Sequence, residues 1–98
     1  MRYSNPQDMP TVKFTANLKR FYPGLDVIKT DKTHLPNILS ELESKFPGLS
    51  DYIVDEHGRL RKHVNIFIGN NLIRDREGLS DSVNSEDEIY VMQALSGG

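Results

Sequence analysis

Between Thr11 and Lys19, the residues Val12, Phe14, Ala16 and Leu18 alternate with Lys13, Thr15, Asn17 and Lys19. A period of two sends successive side chains to opposite faces of an extended chain, so this stretch predicts a half-buried strand. Phe21-Tyr-Pro-Gly24 follows as a Pro-Gly turn, of type II by preference because Gly tolerates the positive φ that turn requires. Leu25–Thr30, with Leu25, Val27 and Lys29 on one face, predicts the returning strand of a hairpin.

The period then changes to that of a helix. Leu35, Ile38, Leu39, Leu42 and Phe46 fall at i, i+3, i+4, i+7 and i+11, which makes one apolar stripe along His34–Phe46. Thr33 is the expected N-cap, and Pro36 lies in the first turn, where a missing N–H is harmless. Ser40, Glu41, Ser44 and Lys45 face water, and Pro47-Gly48 ends the helix. Leu49–Val54 fits either a turn of helix or an extended piece. Asp55-Glu-His-Gly58 is a turn cluster. Val64, Ile66 and Ile68 alternate with Asn65 and Phe67 as a third strand, Gly69-Asn70-Asn71 is a tight turn, and Leu72-Ile73-Arg74 is a short fourth strand. Gly78–Val83 reads as a loop that buries Leu79, and Asn84–Asp87 as a polar turn into the last strand. There Ile89, Val91 and Gln93 share one side, with Tyr90 and Met92 on the other.

This order predicts a two-layer α+β domain, a mixed sheet of four to five strands packed on one main helix. The hairpin makes the first two strands antiparallel. If the final strand pairs beside the first and parallel to it, the arrangement is the β-grasp. The expected core is Val12, Phe14, Leu35, Ile38, Leu39, Leu42, Val64, Ile66, Ile68, Leu79, Ile89 and Val91. The expected domain runs from 11 to 94, behind a flexible arm (1–10) and ahead of a mobile tail (95–98).

Composition narrows the chemistry. Ninety-eight residues with 37% apolar content suffice for one small core. A net charge of −2 gives no electrostatic case for nucleic acid. With no cysteine there are no disulfides, thiolate nucleophiles or Cys-type metal sites. No apolar run approaches a membrane span and no signal peptide is visible, so the expectation is a cytoplasmic monomer with no membrane partner. His34, His57 and His63 lack metal-ligand spacing. Ser80, Ser82 and Ser85 lack a His and acid arrangement for nucleophilic catalysis. The carboxylates Asp51, Asp55, Glu56, Glu86, Asp87 and Glu88 lie at turns, and Arg59-Leu-Arg-Lys-His63 is a small basic cluster that reads as ordinary surface. No catalytic residue, metal site or bound cofactor is expected.

The C-terminal residues carry a different signal. After the last strand the side chains dwindle through Leu95 and Ser96 to Gly97 and Gly98. Glycine costs the most backbone entropy to order and packs nothing, so the pair does little for stability. It would arise by chance in roughly one chain in 200 at ordinary glycine usage. Two residues without Cβ make the thinnest peptide available, able to enter a channel too narrow for others, with a carboxylate at Gly98 that ATP can activate.

The run Val64-Asn-Ile-Phe-Ile68, then Ile73-Arg74, Gly78-Leu79, Glu86-Asp-Glu-Ile89 and Gly97-Gly98 resembles the ubiquitin-like sulfur carriers of the MoaD and ThiS type. The helix end Phe46-Pro-Gly-Leu49 and the long connection through Arg59-Leu60-Arg61 are most similar to the longer carriers used in cysteine biosynthesis. Gln93-Ala94 stands where many members have proline, and Gly69 where many have asparagine. The resemblance implies a carrier rather than an enzyme. An adenylating enzyme similar to ubiquitin-activating enzymes, using ATP, would activate Gly98. A sulfur donor would convert it to a thiocarboxylate, and a sulfur-accepting enzyme would pass the sulfur to a small molecule of a cysteine, molybdopterin, thiamine or siderophore pathway. The alternative is a ubiquitin-like modifier joined through Gly98 to lysines. If Ile89 and Val91 point at the helix, Tyr90 and Met92 face away from it with Phe67, and Leu72 extends them. These residues are the candidate docking patch.

Overall fold

The computed structural model describes residues Met9–Gln93. The expectations for most of the N-terminal arm and for Ala94–Gly98 lie outside the described residues. The elements are β1 (Thr11–Phe14), α1 (Ala16–Phe21), β2 (Ile28–Lys29), α2 (Leu35–Lys45), α3 (Ser50–Ile53), β3 (Val64–Ile68), β4 (Asn71–Leu72) and β5 (Glu88–Gln93). They build a five-stranded sheet of order β2-β1-β5-β3-β4 with α2 packed on one face. β5 runs parallel to β1 and antiparallel to β3, and β2 and β4 pair antiparallel at the two edges. This is the β-grasp arrangement, as the sequence predicts.

Alternation fixes the inward face. Val12 and Phe14 from β1, Val64 and Ile66 from β3, and Ile89 and Val91 from β5 are buried against Leu35, Ile38, Leu39 and Leu42 of α2. Burying each such side chain stabilises the fold by about 1.5–3 kcal/mol. Ile68 is only half-buried and packs at the edge of this core, to which Leu18, Leu25, Leu49, Ile53, Leu60, Ile73 and Val83 add.

The first predicted strand is too long. It stops at Phe14, and Ala16–Phe21 is helical. Thr15 is still held by the sheet, its N–H donating to the Val91 carbonyl at 3.2 Å, while its own carbonyl accepts from Leu18 and Lys19. Beyond it, Ala16, Leu18, Lys19 and Arg20 are good helix formers, and Lys19 and Arg20 suit the last turn. Leu18 is fully buried as a helical residue, so one apolar residue among polar neighbours satisfied both periods and could not choose between them. The predicted hairpin accordingly contains a helix, and its second strand shrinks to Ile28–Lys29 with Val27 exposed.

Two further boundaries move. The N-cap is His34, not Thr33: an isolated bridge to Ser82 holds residue 34 extended, and its carbonyl takes the first helical bond from Ile38. The helix itself is Leu35–Lys45, with Phe46 at its C-cap. The fourth strand is Asn71–Leu72 rather than Leu72–Arg74, because Ile68 pairs with Asn71 across a two-residue turn. Gly69, at φ 62°, takes the first central position of that turn, as a type II′ hairpin demands.

Both of the first two helices end in the same device. Tyr22-Pro-Gly-Leu25 and Phe46-Pro-Gly-Leu49 each close with an N–H of the Leu donating to the aromatic residue's carbonyl, at 2.9 Å in both. Gly24 and Gly48 both sit at φ 92°, and both leucines are buried. The two turns meet: Tyr22 and Phe46 pack edge to face with ring centroids 6.4 Å apart. A Cβ on Gly48 would lie 3.0 Å from the Tyr22 hydroxyl oxygen, whereas one on Gly24 would meet nothing within 4 Å.

The 75–81 loop is held by carboxylates. Asp75 accepts from the backbone N–H groups of Glu77, Gly78 and Ser80 and from the Ser80 hydroxyl, while Asp81 accepts from the N–H groups of Arg74 and Asp75. Between these bonds Leu79 is buried at φ 53°, a conformation a bulky residue adopts at a cost of order 1–3 kcal/mol. The burial of its side chain is of similar size and opposite sign.

These features generate two expectations. Gly48→Ala should destabilise the domain by about 1–2 kcal/mol from backbone strain, with crowding against Tyr22 added. Gly24→Ala should pay the strain alone, so denaturant titrations of the pair should place Gly48→Ala lower. The bonds from Ser80, Gly78 and Glu77 hold the Asp75 carboxyl down to about 2. A lowered folded-state pKa means this contribution is complete above the ordinary carboxylate range near 4 and is lost as pH falls through about 2. A carboxyl NMR titration should find the Asp75 midpoint near 2, and a midpoint near 4 would contradict these contacts.

Candidate functional site

The site is built on β5, which occupies the centre of the sheet and leads towards the C-terminal diglycine. Pairing locks it on both sides, Val12–Ile89 and Phe14–Val91 with β1, and Ile66–Val91 and Ile68–Ile89 with β3. The restraint continues to Gln93, which stands opposite Val64 and donates its N–H to the Thr15 hydroxyl at 3.4 Å. The root of the tail is therefore fixed by two neighbouring strands. Leu95, Ser96, Gly97 and Gly98, the expected reactive segment, lie outside the described residues.

With Ile89 and Val91 turned inward, the intervening residues emerge on the face opposite α2. Directly paired residues share a face, so the register aligns Lys13, Tyr90, Phe67 and Leu72 in one row across β1, β5, β3 and β4. Met92 and Asn65 form the next row. Phe67, Tyr90 and Met92 line a shared open groove of about 720 Å³. Leu72 is half exposed at its margin and lines the neighbouring polar hollow with Arg74, Asp81 and Asp87.

Charges rim the groove. Lys13 pairs with Glu88 at 2.9 Å, and Lys19 with Asp26 at 4.0 Å, all with substantially exposed side chains. Such exposed pairs contribute about 0–1 kcal/mol to stability and are screened by salt, so their main effect is on what the groove presents. Lys13 was legible from the alternation that buries Val12 and Phe14. The wall made by Lys19, Asp26 and Val27 was not, because it depends on the helix that the strand pattern hid.

Other candidate chemistry is structural. Asp55 accepts from the N–H groups of His57 and Arg59, with the Arg59 bond foremost in holding its carboxyl below the usual range. Glu43 accepts from Gly48 and Ser50, which lowers it likewise. His34 begins α2, His57 lies in a turn and His63 in the turn entering β3. Among the described residues no group of three or more His, Cys, Asp or Glu side chains could hold a metal ion, and no helix is long and apolar enough to cross a membrane.

A central strand leading from a β-grasp sheet, beside a partly apolar groove and followed in sequence by a diglycine, is the arrangement expected of the ubiquitin-like carriers. The ThiS family model matches residues 12–98, and the chain belongs to that family. It is 26% identical over 90 residues to the sulfur carrier protein CysO of Mycobacterium tuberculosis, covering 90% of this chain and 97% of that one. Among solved structures, the BexX/CysO complex of Amycolatopsis orientalis contains a similar fold, with a TM-score of 0.77 and 22% identity over 91% of this chain and 99% of that one. The small archaeal modifier protein 1 of Methanosarcina acetivorans matches with a TM-score of 0.73 and 29% identity, over 91% and 95% of the two chains. Proteins of the ThiS and CysO type are small carriers, not catalysts.

Proposed function

We propose that this chain carries sulfur as a C-terminal thiocarboxylate on Gly98. An ATP-dependent enzyme similar to ubiquitin-activating enzymes joins the Gly98 carboxylate to AMP and releases pyrophosphate. Hydrosulfide supplied by a donor then attacks the acyl carbon; the carbon–sulfur bond forms as the bond to AMP breaks, AMP leaves, and the thiocarboxylate results with no change of oxidation state. The thiocarboxylate is polarisable and negatively charged at neutral pH, and a second enzyme passes its sulfur to a small molecule. We read this chemistry as cytoplasmic, a compartment in which ATP is available.

The observation that carries this reading is the family match running through the diglycine, residues 12–98. It is supported by β5, which anchors the root of the tail at the centre of the sheet. The similarity to CysO favours a pathway that uses sulfur for cysteine. The groove of Phe67, Tyr90 and Met92, with Leu72 at its margin, is the surface on which the activating enzyme docks. A second reading, conjugation of Gly98 to lysines of other proteins, is favoured by the likeness to a small archaeal modifier.

Incubation with the cognate adenylating enzyme and ATP should yield an adenylate at Gly98 by intact-mass analysis, and a sulfur source should exchange one oxygen there for sulfur. Deleting Gly97-Gly98 should abolish both changes and leave thermal unfolding as it was. If the deletion variant still supports the pathway in cells, the carrier reading fails. Recovery of Gly98 mainly in amide linkage to lysines would favour the modifier instead.

The docking surface has its own check. Met92→Glu and Phe67→Glu place a charge where an apolar contact is needed, so each should weaken binding to the activating enzyme about tenfold or more while leaving the melting temperature nearly unchanged. Loss of the fold in either variant would assign that side chain to the core.

A further inference from the structure

A second feature, which the groove does not explain, is connected to the end of β5. Phe21 and Tyr52 stack face to face, with centroids 5.6 Å apart and planes 14° from parallel. Their exposures are 58% and 37%, high for two rings packed on each other. Two routes lead from the tail root to this pair. Gln93 bonds Thr15, the residue at the N-terminus of α1, which ends at Phe21. Gln93 also pairs with Val64, which the turn Arg61-Lys62-His63 enters. Arg61 is tied in turn to α3, its Nε donating to the Asp51 carbonyl at 2.7 Å and its N–H to the Ile53 carbonyl at 3.0 Å, on either side of Tyr52.

The aromatic pair and the basic turn are thus each connected to the end of β5, one through α1 and Thr15, the other through Val64. Lys62 and His63 are exposed, and among the described residues no ion pair involves Arg20, Arg61, Lys62 or His63. Asp51 is the carboxylate that α3 itself contributes, while Glu43 is occupied by the N–H groups of Gly48 and Ser50. The pair is aromatic and the turn is basic.

Five residues separate Gln93 from the reacting carboxyl of Gly98. Fully extended they span at most about 17 Å. A channel that admits only this thin segment must therefore open within that distance of Gln93, which brings its mouth against the residues around the exit. We propose that Phe21, Tyr52 and the turn Arg61-Lys62-His63 form a second contact surface for the activating enzyme, and that the channel mouth meets it with an apolar side chain and an acidic rim. This inference rests on the carrier reading of Gly98. The sheet groove holds the domain from one face, and the exit surface sets the angle at which the tail enters.

The test is steady-state adenylation with the activating enzyme from the same genome, followed by pyrophosphate release. The variants are Phe21→Ser and Lys62→Glu combined with His63→Glu, all at exposed positions, with unfolding curves recorded alongside. Each should raise KM for the carrier about tenfold and leave kcat within about twofold, the signature of lost uniform binding. High salt should narrow the difference between wild type and the charge variant, because exposed charges are screened. It should not restore Phe21→Ser, whereas Phe21→Tyr should retain wild-type KM. Unchanged KM in both variants, with the wild type adenylated normally, would overturn the exit surface and leave the carrier reading intact. So would normal adenylation with slowed sulfur delivery, which would assign the surface to the accepting enzyme. Failure of the wild type to be adenylated would overturn the carrier reading and this inference with it.

Discussion

Everything in this molecule depends on the pairing of β5 between β1 and β3. A strand at the end of a chain commonly frays, because nothing beyond it restrains the last residues. Here it is the central strand, paired parallel on one side and antiparallel on the other, with Ile89 and Val91 sealed under α2. The same pleat that buries those two residues turns Tyr90 and Met92 to the opposite face beside Phe67. Stability and the proposed recognition surface therefore share one strand. A slip of one residue in register would exchange the two faces and destroy both.

The division of labour follows from that constraint. Hydrophobic burial on the α2 face is strong and non-directional and holds the tail root in place. The groove on the other face is partly apolar and rimmed by weak, salt-sensitive ion pairs, which suits reversible contact with partner enzymes. In the proposed chemistry the carrier contributes no acid, base or metal. It contributes a fixed origin from which a thin segment can reach an active site elsewhere. This fits a protein in which the carboxylate contacts of Asp75, Asp81 and Glu43 hold loops in place.

Much of this was legible in the residues. The helical stripe Leu35–Leu42, the alternation of Val64–Ile68 and Ile89–Val91, and the Pro-Gly turns each carry a periodicity or a backbone demand that one structure satisfies. The parallel placement of β5 was one way of fitting those elements into two layers, and the structure adopts it. What was hidden had physical reasons. Ala16–Phe21 contains one buried residue, and a single point has no period. Thr33 lost the cap position because a bridge between His34 and Ser82, far apart in sequence, sets the backbone there. The stacking of Phe21 on Tyr52 and the meeting of two Pro-Gly turns arise from packing between segments, for which local pattern holds no signal. The groove residues Phe67, Tyr90 and Met92 were legible from alternation, whereas the wall at Lys19, Asp26 and Val27 was not.

The central claim is that the reacting group of this protein is the carboxyl of Gly98 and that its cargo is sulfur. Top-down mass spectrometry of the chain isolated from its own cells, under conditions that demand new sulfur metabolism, addresses this most directly. The account predicts a population in which one oxygen is replaced by sulfur, with fragment ions placing the change on Gly98. Sulfur found elsewhere on the chain, or a Gly98 that stays an unmodified carboxylate while the pathway runs, would contradict it.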